Sequence, residues 1–458
     1  MKHLEKNIKR RYVEYTVKAK FILNFNQGIP SIVENAMINI DDTVITAIGK
    51  DLNTDGRQVD VFDSHIIMPG LINTHTHAGM TLFRAYEDES PLDVWLNEYI
   101  WPLEAKLTAK DIEIGAKIAS IEALLSGTTT INSMYWYPEA EAKAFDEIGI
   151  RAMLGPPIIS GVNTLESYER LIQDWHGKND DLTRISINPH APYTVTSEEY
   201  QSIYEYKNNF NAKNSSLPPL HMHTHLAESR NEMDMIRQYA LDNGFTIKND
   251  VQSPTQYLDS LGILDDQMIA AHAVECDEKD MDILSSQRVG VSINPISNLK
   301  LDNNVSKITD MAHHGIKLGL GTDGPASNNT LDMFETVKIT ALLQKGQLDQ
   351  KPGRAYNTLK MATSGGAEVL GWQEIGSLDV GKKADLIAID IKKPHLLPLI
   401  SKNSLHSLLV YSAKSSDVTD VMINGKWRVR NREVVDVNVE ELYNELLERV
   451  TELFSHID

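Results

Sequence analysis

Between Pro69 and Gly371, eight short apolar runs alternate with helical patterns. In order they are INTHTH, TTTINSMY, RAMLGPPII, ISINPHAPY, LHMHTHLAE, MIAAHAVE, VGVSINP and KLGLGTDG. Stretches such as AKDIEIGAKIASIEALLSG and SPTQYLDSLG lie between them. Strands that alternate with helices build parallel sheets, and eight such units close into a (β/α)8 barrel. The expected fold class is therefore α/β, a TIM-like barrel over residues 69–371. The flanks read differently. FILNF, AMINI, TVITAIG and QVDVFDSHIIM precede the barrel, separated by turn residues such as NQGIP and DDT, and ADLIAID and DVTDVMINGKWRVRNREVV follow it. Neither flank has enough strands to stand alone. Residues 1–68 and 372–458 are expected to pair into one small β-sandwich domain, closed by an amphipathic helix in VNVEELYNELLERVTELFSHI.

A barrel places its chemistry at the C-terminal ends of its strands, and polar residues gather there. His75 and His77 end the first run. Alternate residues of a strand share a face, so both imidazoles point the same way. The fifth run ends in His221, His223, His225 and Glu228, the sixth in His272, and the eighth in Asp323 among glycines that would let the backbone turn tightly. Any one of these alone is most often structural. Together, from several strand ends, imidazoles and a carboxylate suit zinc or a similar divalent ion with a position open for water.

Composition narrows the partners. A net charge of −20 with no basic stripe disfavours nucleic acid. One cysteine, Cys276, excludes a disulfide framework and a multi-cysteine zinc site, and it suits a reducing, cytoplasmic setting. No run approaches the roughly 18 to 20 apolar residues that span a membrane. The basic start, MKHLEKNIKRRYVEY, lacks the apolar core of a signal peptide and reads as a solvated terminus.

PGLINTHTHAGM, HTHLAES, AAHAVE and GTDGPASNNTLDMFE resemble the amidohydrolase superfamily. More narrowly they look like its 5′-methylthioadenosine/S-adenosylhomocysteine deaminase branch, close to triazine chlorohydrolases. The resemblance covers nearly the whole chain, including GSLDVGKKADLIAID in the second flank. It implies His75, His77, His225 and Asp323 as metal ligands, with Glu228 and His272 as catalytic residues beside Asp323. It leaves His221 and His223 as supporting or packing residues. It implies substrate contacts from Trp95, Glu104 and His190, besides Glu228: an aromatic wall, a carboxylate for ribose hydroxyls and a contact to the purine. Taken alone, Trp95 fits helix packing equally well. Two-metal barrels of this superfamily usually carry a carboxylated lysine on the fourth strand. None is present, so one divalent ion per chain is expected, zinc first and iron(II) second.

The implied reaction is hydrolytic deamination of an adenosine-type nucleoside to the inosine-type product and ammonia. A divalent ion brings the pKa of water from 15.7 toward about 7. Glu228 would carry a proton to the purine ring, Asp323 would accept one from water, and His272 would orient the attack. Two departures stand out. Ser133 occupies a position where the family often has aspartate. Gly155-Pro156-Pro157 offers no charge where some members hold a homocysteine carboxylate with arginine. That places methylthioadenosine and adenosine ahead of S-adenosylhomocysteine unless Arg84 or Arg151 reaches the tail. The competing readings are deamination of guanine or an oxidised guanine, chlorohydrolysis of an s-triazine, and a silent metal-binding scaffold. A homo-oligomer is compatible with all of them.

Overall fold

The computed structural model describes residues 14–25, 31–346 and 354–455. Most of the basic N-terminal stretch and the NQGIP turn lie outside those residues.

All eight apolar runs form parallel barrel strands: Leu71–Thr76, Thr128–Met134, Arg151–Gly155, Thr183–Pro189, His221–Leu226, Met268–His272, Gly290–Ile293 and Lys317–Leu320. Each pairs with the next, and Leu320 opposite Asn73 closes the ring. The strands are buried almost throughout, because helices cover their outer faces and side chains fill the bore. Small polar residues fill that bore beneath the mouth. Asn73 donates to Thr322 Oγ1 at 2.7 Å, and the Thr74 and Ser292 hydroxyls meet at 2.6 Å. The helix Ala109–Leu125, between the first and second barrel strands, starts at Thr108, whose hydroxyl and backbone N–H both bond the Asp111 carboxylate.

The two chain ends join in one hydrogen-bonded sheet of eight strands. Leu386–Asp390 pairs antiparallel with Gln58–Pro69, with Ile387 opposite Met68. One face of that sheet has its own apolar core, including Val17, Ile38, Ile45, Phe62, Leu386 and Met422. Its junction with the barrel is partly ionic. Arg151, fully buried at the start of the third barrel strand, bonds both Asp385 carboxylate oxygens at 2.7 and 3.0 Å. The closing helix spans Val439–Phe454 and packs Leu446, Val450 and Phe454 against the aromatic wall above the first barrel strand. Arg449 ties it to Asp111 at 2.7 Å.

Candidate active site

His75 and His77 sit on the same side of the first strand end, as period-two alternation requires. Each imidazole is then aimed by its other nitrogen. His77 Nδ1 lies 2.6 Å from the Met134 carbonyl, and His225 Nδ1 lies 2.8 Å from the His190 carbonyl. A carbonyl only accepts, so each Nδ1 carries hydrogen and each Nε2 presents a lone pair in the neutral ring. Those two lone-pair nitrogens face each other at 3.4 Å. His75 Nε2 stands 3.3 Å, and His77 Nε2 3.2 Å, from Asp323 Oδ1. His75 Nε2 and Asp323 Oδ1 are both buried without a hydrogen-bond partner. The other Asp323 oxygen is occupied, receiving the Ser297 hydroxyl at 2.5 Å and the Ser327 hydroxyl at 2.8 Å.

Burial acts on this cluster first. It pulls His75 down to about 4 and His225 well below the ordinary imidazole value, so both rings are neutral donors of lone pairs. The potential ligand atoms of His75, His77 and His225 lie within 4.8 Å of one another, as do those of His75, His272 and Asp323. Converging acceptors at that spacing repel unless a cation sits among them. This donor set of imidazoles and a carboxylate fits zinc or iron(II).

Backbone strain marks the same place. Ala227, His272 and Asp323 hold φ at 52°, 77° and 64°, in the left-handed region that non-glycine residues rarely occupy. The glycines around Asp323 serve a different purpose from the one their sequence suggests. The tight turn falls on Asp323 itself, and the glycines give room. A Cβ on Gly321 would sit 2.4 Å from Asn294 Oδ1, and one on Gly324 would sit 2.7 Å from Met80 Sδ.

A chamber opens above the cluster, lined by His77, Trp95, Glu104, His190, Glu228, His272 and Asp323 among others. Every residue expected to touch substrate reaches it. Trp95 lies in a π-helical turn, Trp95–Ile100, and its indole donates to the Glu87 carbonyl at 3.2 Å. Glu104 receives the Trp136 indole N–H on Oε2 at 3.0 Å, and burial raises its pKa. His190 is pinned by Thr194 at 2.9 Å, and burial lowers it to about 3. Glu228 is pushed up to about 8, first by burial and then by the Asp323 charge. Its carboxylate accepts from Asn303 at 3.4 Å, and Oε2 lies 3.7 Å from His272 Nε2.

The two uncertain histidines separate. His223 Nε2 lies 3.0 Å from His75 Nδ1, behind the cluster, whereas His221 sits at the other end of the strand against Pro219 and Gly371. Ser133 lies beneath the loop after His77. It accepts the Ala78 N–H at 3.2 Å and donates to Glu141 at 2.7 Å, so the carboxylate at this place comes from the following helix. Arg84 and Arg151 do not reach the chamber. Arg84 pairs with Glu122, and Arg151 with Asp385 at the opposite end of the barrel. An adjoining chamber shares Leu92, Leu96, Trp101, Tyr193 and Leu301 with the first, and Arg230, Asp93 and Asp302 line it. Sequence reasoning passed over Trp136, Ser297, Asn298, Asn303 and Ser327. Their polar side chains meet the site from loops and helices, with no spacing to announce them.

An eight-stranded barrel with imidazoles and an aspartate converging at its mouth defines a barrel hydrolase of the metal-dependent kind. The match to the amidohydrolase family spans residues 66–428, and the chain belongs to that family. It is 38% identical over 439 residues to the 5-methylthioadenosine/S-adenosylhomocysteine deaminase of Thermoanaerobacter pseudethanolicus, covering 93% of this chain and 96% of that protein. It is 37% identical over 417 residues to the 5'-deoxyadenosine deaminase of Methanosphaera stadtmanae, covering 89% and 93%. Among solved structures, an adenosine deaminase from Xanthomonas campestris with bound zinc superposes with a TM-score of 0.86 at 29% identity, covering 97% of this chain and 99% of that one. The zinc complex of atrazine chlorohydrolase from Arthrobacter aurescens shares the fold at 21% identity, with a TM-score of 0.84 and coverage of 95% and 100%. No helix among the described residues is long and apolar enough to cross a membrane.

Proposed function

We propose that the chain is a hydrolytic deaminase of adenosine-type nucleosides, with His75, His77, His225 and Asp323 holding one divalent ion, zinc before iron(II). The observation that carries this reading is the pairing of two features in one chamber. One is the partnerless cluster of His75 Nε2 and Asp323 Oδ1, and the other is the half-buried Glu104 carboxylate. When bound, the ion supplies activated water at neutral pH.

The remaining chemistry belongs to the side chains. A carboxyl raised to about 8 holds its proton at pH 7, so Glu228 can deliver it to ring N1 and make C6 electrophilic. Asp323 accepts a proton from the attacking water, and two serine hydroxyls fix its orientation meanwhile. His272 orients that water and steadies the charge that develops as the C6–O bond forms. The C6–N bond then breaks, the amine leaves protonated as ammonia, and the inosine-type product remains. Trp95 walls the purine, and His190 contacts it.

Glu104 gives the nucleoside its handle. Trp136 donates to Oε2, the Tyr135 hydroxyl lies beside the same carboxylate, and its remaining acceptor capacity suits the ribose 2′- and 3′-hydroxyls. The 5′ carbon leaves the opposite face of the ribose from that diol. The chamber containing Arg230, Asp93 and Asp302 has room for a 5′ substituent there, which keeps S-adenosylhomocysteine among the substrates alongside methylthioadenosine and adenosine. Guanine and triazines lack a diol and leave Glu104 unpaired. A silent scaffold has no use for a carboxyl desolvated as heavily as Glu228. A cytoplasmic setting agrees with the free, buried Cys276.

The test is direct. Chelator-treated protein should release little ammonia from adenosine, and stoichiometric zinc should restore release. Full activity in metal-free protein would refute the proposal.

A further inference from the structure

We propose that Glu232 is a positioning residue whose carboxylate holds the strained turn after the fifth barrel strand and so aims Glu228 into the chamber. The kinetic consequence rests on the deaminase reading, whereas the hold on the turn does not.

Glu232 opens the helix Glu232–Asp242, yet its side chain is turned inward and the residue is only 1% exposed. A carboxylate buried that deeply needs donors. It finds two in succession. The Ala227 N–H donates to Oε1 at 2.9 Å, and the Glu228 N–H donates to Oε2 at 2.7 Å. Each oxygen takes one main-chain hydrogen, so the carboxylate grips two neighbouring peptide units at once. Ala227 lies at a φ of 52°, a left-handed conformation that persists in an alanine only where its surroundings over-determine it. The Val274 and Glu275 N–H groups supply the other half of that hold. They donate to the Ala227 carbonyl at 2.8 and 2.9 Å. The peptide joining Ala227 to Glu228 is therefore pinned at both ends, by Glu232 on its N–H and by the turn after His272 on its carbonyl.

The Glu228 side chain has looser partners. Asn303 reaches Oε1 at 3.4 Å, and His272 Nε2 stands 3.7 Å from Oε2. The aim of this carboxyl comes from the backbone beneath it, and Glu232 sets that backbone. The same pinning fixes Glu228 relative to His272, because the two strand ends share bonds: the Ala273 N–H donates to the Leu226 carbonyl at 2.9 Å. Glu232 is not part of the chamber wall, so it acts through Glu228 and touches no substrate. Its two donors favour the charged form and oppose the burial that raises it to about 7, so at pH 8 the carboxylate is largely ionised.

Crystal structures of zinc-loaded wild type and E232Q test the hold without reference to turnover. Glutamine offers one acceptor oxygen and turns an amide N–H toward the second main-chain N–H, so one bond becomes a clash of donors. The turn should relax and move the Glu228 carboxyl by about 1 Å, a misplacement that can cost about 10²-fold in rate. An unmoved turn in E232Q, with Ala227 still left-handed and Glu228 in place, would overturn the inference. Kinetics at pH 8 test the consequence. E232Q should lower kcat for adenosine by about 10- to 10²-fold, with KM within about twofold and zinc content unchanged. A loss confined to KM, or a loss of zinc, would contradict a positioning role. E228Q already lacks the group being aimed, so E228Q/E232Q should be no slower than E228Q. Losses that multiply would mean that Glu232 does not act through Glu228. E232D keeps two acceptor oxygens on a shorter stem and guards against a misfolded E232Q. Its kcat should lie between those of wild type and E232Q, and a value at or below that of E232Q would count against the paired bonds. If wild-type protein deaminates no nucleoside at all, the deaminase reading fails instead, and the crystallographic comparison still judges the hold on the turn.

Discussion

His77 Nε2 and His225 Nε2 face each other across 3.4 Å, each with its Nδ1 spent on a backbone carbonyl. A cation placed among these two nitrogens and Asp323 Oδ1, which lies 3.2 Å from the first of them, would satisfy all three. The first prediction follows from this. Purified protein should carry one divalent ion per chain, and H77A or H225A should lose most of it, because few protein ligands share the ion. Elemental analysis decides the matter, and two ions per chain would contradict the single-metal reading.

Glu228 serves a different purpose and should fail differently. E228Q keeps the volume and the contact with Asn303 but has no proton to give. Bound metal should be unchanged while kcat falls by at least about 10²-fold. Near-normal turnover would remove Glu228 from the proton pathway.

Much of this site is legible in the sequence for one physical reason. Strand residues alternate faces, so His75 with His77, and His223 with His225, must share a side wherever the strand forms. The eight runs likewise announce the barrel, since buried parallel strands need continuous apolar stretches. What stays hidden are partners brought together by tertiary contact. Asn298 is 26 residues from the His272 it holds, Trp136 is 32 from Glu104, and Glu141 takes the position expected of Ser133 from a neighbouring helix. Asparagine, serine and tryptophan are common in loops, and only the folded chain gives these their targets.

The ribose contact is open to a test from both sides. Removing the 2′- and 3′-hydroxyls strands a half-buried carboxylate oxygen, at a cost of about 1–3 kcal/mol. 2′,3′-Dideoxyadenosine should therefore show kcat/KM roughly 5- to 150-fold below adenosine. In E104L that penalty should largely disappear. An undiminished penalty in E104L would place the diol elsewhere.

Two buried carboxyls make a claim about stability. Burial raises Glu141 and Glu232 to about 7 each. Unfolded glutamate titrates near 4.3, so between that value and 7 the folded state holds more protons than the unfolded state. The contribution is complete below the unfolded value and is lost as pH rises through about 7. Denaturant melts at pH 5 and pH 8 should show wild type losing stability relative to the E141Q/E232Q double variant by up to about 3 kcal/mol per carboxyl. A constant difference between the two proteins would mean that neither group is protonated in the fold.

The most direct test of the central claim is kcat/KM measured side by side on methylthioadenosine, adenosine, S-adenosylhomocysteine, guanine and a chlorotriazine, with ammonia or chloride release as the readout. A site that grips a ribose diol through Glu104 and protonates the purine through Glu228 predicts that the nucleosides exceed guanine and the triazine by at least about 10²-fold. Guanine or the chlorotriazine turned over faster than every nucleoside would contradict it.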